Sequence, residues 1–322
     1  MNYFYMGSNK YFVVKDFLPV SDRSLVSDDP AEFKNFISSQ KYDVVVVGSD
    51  AIWNDNQTSR PNMYLLHDVS NVRKLSYAAS TYGMDYSAFT VDQMQYVEES
   101  LQEFEFLGVR DSVSDHYIRH CSGGRLSGIH TCDPSVFLDL DQVPVELDRL
   151  KEKMIAQGVT FKKPIIGLMC SEWLARKVRK ELGNDYEYVS VYYDTGVEDV
   201  FMGELTPFEW SRIFSFFDVT FTHFFHGTLF SIRNGTRTFS IERGSAYKSK
   251  YQTKIQDVLG RLELLNECYY EDDKMTESDW GNIRKSVVEN DKEITKAKYA
   301  QRISKEKQTA ETFMECLEGI LK

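Results

Sequence analysis

Apolar positions along the chain fall into two alternating patterns. Short apolar runs end in small or polar residues: Asp43–Val47 leads into Gly48-Ser49-Asp50, Lys74–Ala78 into Ala79-Ser80, and Phe106–Val109 into Arg110. An uninterrupted β-branched run such as 43–47 predicts a strand buried on both faces, as in a parallel sheet. Between the runs the apolar spacing turns helical. Thr90-Val91-Asp92-Gln93 has the form of a capping box and precedes Met94, Val97, Leu101 and Phe104. Ser112-Val113-Ser114-Asp115 predicts another helix start. The alternation resumes at Pro164–Met169, which ends in Cys170, with Ser171 placed to cap the next helix, and continues through a strand at Tyr186–Tyr192. Thr206-Pro207-Phe208-Glu209 joins a capping box to a first-turn proline, ahead of a stripe of Trp210, Ile213, Phe214 and Phe217. A strand at Asp218–Thr222, a loop at His223–Gly227, a helix at Thr228–Arg233 and a strand at Arg237–Ile241 follow. From about Met275 to Lys322 the pattern is a long polar helix pair.

This alternation predicts an α/β protein. Two Rossmann-like units are expected, over residues 1–160 and 161–265, with the polar helical stretch Leu138–Lys163 bridging them and a helical tail over 266–322. No internal repeat or low-complexity tract interrupts them.

Composition narrows the function classes. The 322 residues carry 38 Lys+Arg against 49 Asp+Glu, a formal net charge of −11. That balance argues against nucleic-acid binding by bulk charge and leaves room for local cationic pockets. No run of about 18 apolar residues is present to span a bilayer. The opening MNYFYMGSNK lacks the features of a signal peptide, and the five cysteines are scattered with no C-x-x-C pair. A cytoplasmic protein with reduced thiols is the expectation; the oligomeric state is not legible.

In open α/β sheets ligands bind beyond the carboxyl ends of strands. The segments to read for chemistry are therefore Gly48–Asp50, Ala79–Gly83, Arg110, Cys170–Ser171 and His223–Thr228. No nucleotide fingerprint of the P-loop or G-x-G-x-x-G kind occurs. His116 and His120 stand four apart beside Cys121, with His130 and Cys132 further on, but no H-E-x-x-H arrangement accompanies them, and no metal site is expected. Cys170 has no histidine near it in sequence and reads as a buried, inert thiol.

Six segments occur in an order that resembles one family: YDVVVVGSDAIWN (42–54), KLSYAASTYG (74–83), FLGVRDSVSD (106–115), CDPSVFL (132–138), TPFEWSRIFSFFDVTFTHFFHGTLFSI (206–232) and TFSIERG (238–244). Together they resemble the polysaccharide pyruvyl transferases. The resemblance implies two facing Rossmann-like domains, as in GT-B glycosyltransferases. It also implies transfer of a pyruvyl group from phosphoenolpyruvate to sugar hydroxyls, giving a ketal, with no cofactor beyond that donor. Such chemistry needs an acid for the methylene carbon, a base for the attacking hydroxyl, and cations or N–H groups for two anions.

By this resemblance His226 and Arg110 are donor-side residues and catalytic candidates, helped by the N–H groups of Gly227 and Thr228 at a helix start. Asp50 is the candidate base, with a turn-forming or capping aspartate as the alternative. Gly48, Ser49, Asp50, Trp53, Ser80 and Thr81 are acceptor-side candidates; for Trp53 a buried anchoring role competes with stacking on a sugar. Arg243, Lys248 and Lys250 are candidate anion ligands or a solvated basic face.

Three departures from the family pattern stand out. The strand and glycine-bearing loop that usually precede the GSD strand are not found in the 42 residues before Asp43, which predicts a shortened first domain. Phe224 stands where a hydroxyl or cationic residue is usual before the histidine, and His223 is a candidate to compensate. Lysines replace the expected arginine after the last strand. These leave two further readings open: a non-catalytic glycan-binding or scaffold member, and a GT-B glycosyltransferase.

Overall fold

Two parallel sheets form from the predicted runs in a computed structural model that describes residues 23, 25–27, 29–55, 61–244 and 251–322. The segment preceding the GSD strand falls largely outside these residues, as do Lys248 and Lys250.

In chain order, α1 (Pro30–Gln40), β1 (Val44–Val47), β2 (Arg73–Ala79), α2 (Val91–Leu101), β3 (Phe104–Val109), α3 (Ser112–Cys121) and β4 (Ile129–His130) come first. Next are α4 (Leu147–Ala156), β5 (Ile165–Met169), α5 (Glu172–Leu182), β6 (Glu187–Val191) and β7 (Val200–Met202). Then follow α6 (Pro207–Ile213), β8 (Val219–Thr222), α7 (Phe225–Arg233), β9 (Arg237–Glu242) and α8 (Lys254–Arg261). Last are β10 (Tyr269–Glu271), α9 (Glu277–Val288) and α10 (Lys292–Leu321).

Among the described residues, one compact unit lies within 22–137, 247–261 and 305–322. Its described strands pair in parallel in the order β1-β2-β3-β4. One sheet face packs on Trp53, Leu65, Leu66, Tyr86, Val97 and Tyr117. The other carries Leu75 and Phe106 against Phe313 of α10, with Val44, Tyr77 and Leu317 beside them. β1 departs from the expectation of burial on both faces. It is the edge strand among the described residues, and of its four valines only Val47 is buried while Val46 is 44% exposed.

The other unit comprises Leu138–Ala246 and Leu262–Ser304 among the described residues. Its six strands run parallel in the order β10-β9-β8-β5-β6-β7. β5 shows why its run is uniformly apolar. Ile165 and Met169 enter a core with Val189, Phe214 and Phe230, while Ile166 and Leu168 point to the opposite face with Val219, Phe239 and Trp280.

The division falls at 137/138 rather than near 160. The cause is α4, whose Leu150 and Met154 are buried in the core of the six-stranded sheet, so the stretch read as a bridge is part of that unit. α8, expected within the second unit, belongs to the four-stranded one, and so does the last part of α10 in the tail. Two helix starts form as read. Thr90 with Gln93 and Thr206 with Glu209 each make both bonds of a capping box, an arrangement whose cap alone is worth about 1 kcal/mol. The helix expected from Ser112 is capped one residue earlier, by Asp111, whose carboxylate accepts from the Ser114 N–H.

Candidate functional site

Each unit places candidate side chains at the carboxyl ends of its own strands.

In the four-stranded unit, the Gly48-Ser49-Asp50 turn leaves β1 where the backbone comes very close to β2. A Cβ at Gly48 would lie 1.9 Å from the Tyr77 carbonyl oxygen, so only glycine fits there. The turn carries Asp50 outward; its side chain is 71% exposed. Beneath it lies Arg110, 2% exposed. The Arg110 guanidinium donates to Asp133 Oδ2 (2.9 Å), the Ser49 carbonyl (3.3 Å) and Asp50 Oδ1 (3.3 Å). The arginine at the strand end is thus an internal anchor for two carboxylates.

Lys254, the first residue of α8, completes the group. Its Nζ is 3.3 Å from Asp50 Oδ1 and lies 3.9 Å over the Tyr82 ring. Burial raises the Asp50 carboxyl, but Lys254, the Ala51 N–H and Arg110 outweigh it and hold the group below the ordinary aspartate value. Burial, then Arg110, lower the Lys254 ammonium, while Asp50 works the other way. Sequence reading passed over Lys254. The available signal was its position inside a capping box, since Thr253 and Gln256 bond reciprocally around it (2.9 and 3.2 Å).

Three acceptor-side candidates lie inside the unit instead of at its surface. Trp53 is fully buried, its Nε1–H donating to the Tyr64 carbonyl (3.3 Å) and its ring edge-on to Phe104. Ser80 Oγ donates to Asp111 Oδ2 (2.6 Å), and the Thr81 N–H donates to Ser114 Oγ (2.9 Å); both residues are fully buried. Ser80 and Thr81 thus fasten the end of β2 to the start of α3. Of the acceptor-side set, only Gly48, Ser49 and Asp50 retain exposure.

In the six-stranded unit, α7 begins at Phe225, so His226 sits in a helical first turn and not in a loop. Its imidazole is exposed, with the Phe225 and Phe230 rings nearby. Thr228 is a correction to the donor-side set. Its N–H donates to the Phe224 carbonyl (3.0 Å), and its buried hydroxyl lies 3.1 Å from that oxygen and 2.7 Å from Ser240 Oγ, tying α7 to β9. Gly227 is buried under Thr222 and Met169: a Cβ there would lie 2.4 Å from Thr222 Oγ1 and 2.8 Å from Met169 Sδ. Thr222 Oγ1 also accepts the Phe224 N–H (3.0 Å) that opens the helix. Gly227→Ala is therefore expected to cost about 1–3 kcal/mol by overpacking, read as a lower melting temperature.

His223, the residue considered as a substitute for a donor ligand, turns inward. Its Nε2 is 3.2 Å from Ser171 Oγ, and its ring lies against Trp173 and Phe224. Phe224 in turn stacks on Tyr193. Arg243 is exposed and lies 4.2 Å over the Trp173 ring. Burial, with Arg243 adding to it, lowers His223 to about 4. The unfolded chain takes up this proton near pH 6.5 and the folded chain only near 4, so stability is full above pH 6.5 and declines between them. The loss expected over that window is roughly 2–3 kcal/mol. Chemical denaturation at pH 7 and pH 4.5 should show it, and His223→Phe should flatten that part of the profile.

The remaining constellations are engaged in packing. His116 Nδ1 bonds to Tyr86 Oη (2.7 Å) and His130 Nε2 to Glu306 Oε1 (2.8 Å). Among the described residues no group of three or more His, Cys, Asp or Glu is placed to hold a metal ion. Burial pushes the Cys170 thiol well up, with Glu198 adding to it. No helix among the described residues is long and apolar enough to cross a membrane.

Comparison with known proteins adds the following. The sequence model of the family described as Polysaccharide pyruvyl transferase matches residues 3–245. No curated protein matches the chain. Among solved structures, a UDP-GlcNAc 2-epimerase from Neisseria meningitidis bound to UDP-GlcNAc is similar, with a TM-score of 0.53 and 10% identity over 90% of this chain and 80% of that one. A protein described as a UDP-N-acetylglucosamine 2-epimerase from Listeria monocytogenes gives 0.52 and 12% over 91% and 77%. At such identities the likeness is one of fold: two Rossmann-like parallel sheets of the GT-B-like class with a helical C-terminal tail.

Proposed function

The chain belongs to the polysaccharide pyruvyl transferase family, and we propose that it transfers a pyruvyl group from phosphoenolpyruvate to hydroxyls of a sugar, forming a ketal on a glycan or glycan precursor. The observation that carries this reading is Asp50: an exposed carboxylate at a strand end, held ionised by Lys254 and Arg110, within a segment the family matches.

The reaction adds a proton to the methylene carbon of the donor, forms two C–O bonds from sugar hydroxyls to the adjacent carbon, and breaks its bond to the phosphate oxygen. Two hydroxyl protons are lost; one balances the methyl group and one leaves with phosphate. His226 is the acid in this scheme, since its imidazole is exposed at the start of α7, where it can meet a substrate, and histidine is the side chain most often used to deliver a proton. Asp50 is the base, taking the hydroxyl proton, and Lys254 with Arg110 keeps it ionised for that task. Arg110 acts through Asp50 and Asp133 rather than on a free anion. The Gly227 N–H in the first turn of α7 suits the donor's anionic groups.

Titration calorimetry with phosphoenolpyruvate, followed by a panel of sugar acceptors with product mass analysis, tests this reading. Donor binding and a pyruvylated product are expected. Glycan binding with no donor affinity would instead favour a non-catalytic member of the family.

A further inference from the structure

A polar network ties Asp50 and its partners to the C-terminal tail, beyond the residues that the family model covers. Its hub is Glu306 on α10, 6% exposed. One oxygen, Oε1, accepts from His130 Nε2 (2.8 Å) and from Arg261 Nε (3.0 Å). Burial raises this carboxyl, but His130 and Arg261 bring it below its ordinary value.

From this hub two arms run back to the site. Arg261 ends α8 and also pairs with Asp257 one turn earlier. Asp257 Oδ1 accepts from the Ser112 N–H (3.2 Å) and hydroxyl (2.7 Å) at the start of α3. Lys254, at the other end of α8, lies about 10 Å along the axis from Arg261. The second arm is His130 on β4, three residues before Asp133, the partner of Arg110. Thr309, on the next turn of α10, reinforces it by accepting the Cys132 N–H (2.9 Å).

We propose that Glu306 is a positioning residue for Asp50: by holding α8 and the β4 end together it sets where Lys254 and Asp133–Arg110 stand. Apolar burial of Ile255, Val258 and Leu259 keeps α8 on the unit, but such burial has no preferred direction. The hydrogen bonds fix the rotation and slide of the helix, and with them the Lys254 ammonium. The role in turnover rests on the reading of Asp50 given above; the placement of Lys254 does not.

Two variants separate placement from charge. Glu306→Gln keeps an Oε1 acceptor for both donors, whereas Glu306→Ala removes it. Limiting acylation of the intact chain, with Lys254 read by peptide mass spectrometry against exposed Lys41, reports the placement without substrate. Glu306→Ala is expected to raise relative labelling of Lys254 about 5-fold, as for a local opening made easier by about 1 kcal/mol. Glu306→Gln should stay near wild type. In turnover, kcat should fall in the alanine variant and recover in the glutamine one. If Glu306→Ala does not fold, Arg261→Met breaks the same arm and should raise Lys254 labelling likewise. Unchanged labelling in the folded variant, or a glutamine variant as perturbed as the alanine one, would overturn the inference. A wild-type chain that transfers no pyruvyl group would overturn the functional reading and leave the labelling result to decide this one.

Discussion

Replacing His226 by glutamine is expected to lower kcat about 10²–10⁴-fold, the usual contribution of a general acid or base. The fold should be almost untouched, because the imidazole is exposed at the start of α7, and substitutions at such positions usually move stability by less than about 0.5 kcal/mol. Glutamine keeps the size and hydrogen-bonding capacity of the side chain but cannot deliver a proton near neutral pH. Turnover should collapse while the melting temperature and donor affinity stay close to wild type. Full turnover in this variant would remove His226 from the chemistry and move the search for the acid to another group.

Asp50→Asn is expected to be comparably severe, about 10²–10⁴-fold in kcat, for a different physical reason. In the proposed scheme the carboxylate accepts a proton, and in the structure it sits between two cations, Lys254 and Arg110. An amide fails at the first task and leaves the Lys254 ammonium half-buried without its counter-charge. The pH profile carries the signature. Because Lys254, the Ala51 N–H and Arg110 together outweigh burial, the carboxyl lies below its ordinary value. Asp50 therefore stays ionised as pH falls, and the acid limb of kcat/KM that it controls lies below the range of an ordinary aspartate. Lys254→Met removes the first of those stabilising influences and should move that limb to higher pH. A limb that does not move would detach Lys254 from Asp50.

Where local chemistry decides structure, the sequence is readable. The capping boxes at Thr90 and Thr206 need only four residues each, and both form. The strand runs at Val44–Val47, Ile165–Met169 and Val219–Thr222 announce themselves by composition. The start of α7 does not. Phe224 is a poor cap, and the Thr222 hydroxyl two residues back takes its N–H instead, so a loop is expected where a helix begins. β7 and β10 are three residues each, too short to show a period.

The strand-end rule picks residues that do lie at strand ends, but it does not give the direction of each side chain. Arg110, Ser80 and Thr81 all lie at strand ends, and all are turned inward by partners distant in sequence: Asp133, Asp111 and Ser114. Lys254 arrives from α8, more than 200 residues after Asp50; the Thr253–Gln256 capping box marks a helix start there but not the tertiary contact that brings it to Asp50.

In the proposed reaction this chain moves the pyruvyl group of phosphoenolpyruvate onto a sugar. Phosphorus NMR of phosphoenolpyruvate incubated with the protein and an acceptor panel tests it most directly, run in parallel with His226→Gln. Inorganic phosphate is expected to appear one-for-one with ketal product for at least one acceptor in the wild type, at a rate about 10²–10⁴-fold lower in the variant. Phosphate release that is equal in both proteins, or none with any acceptor from a wild-type chain that still binds glycans, would contradict it.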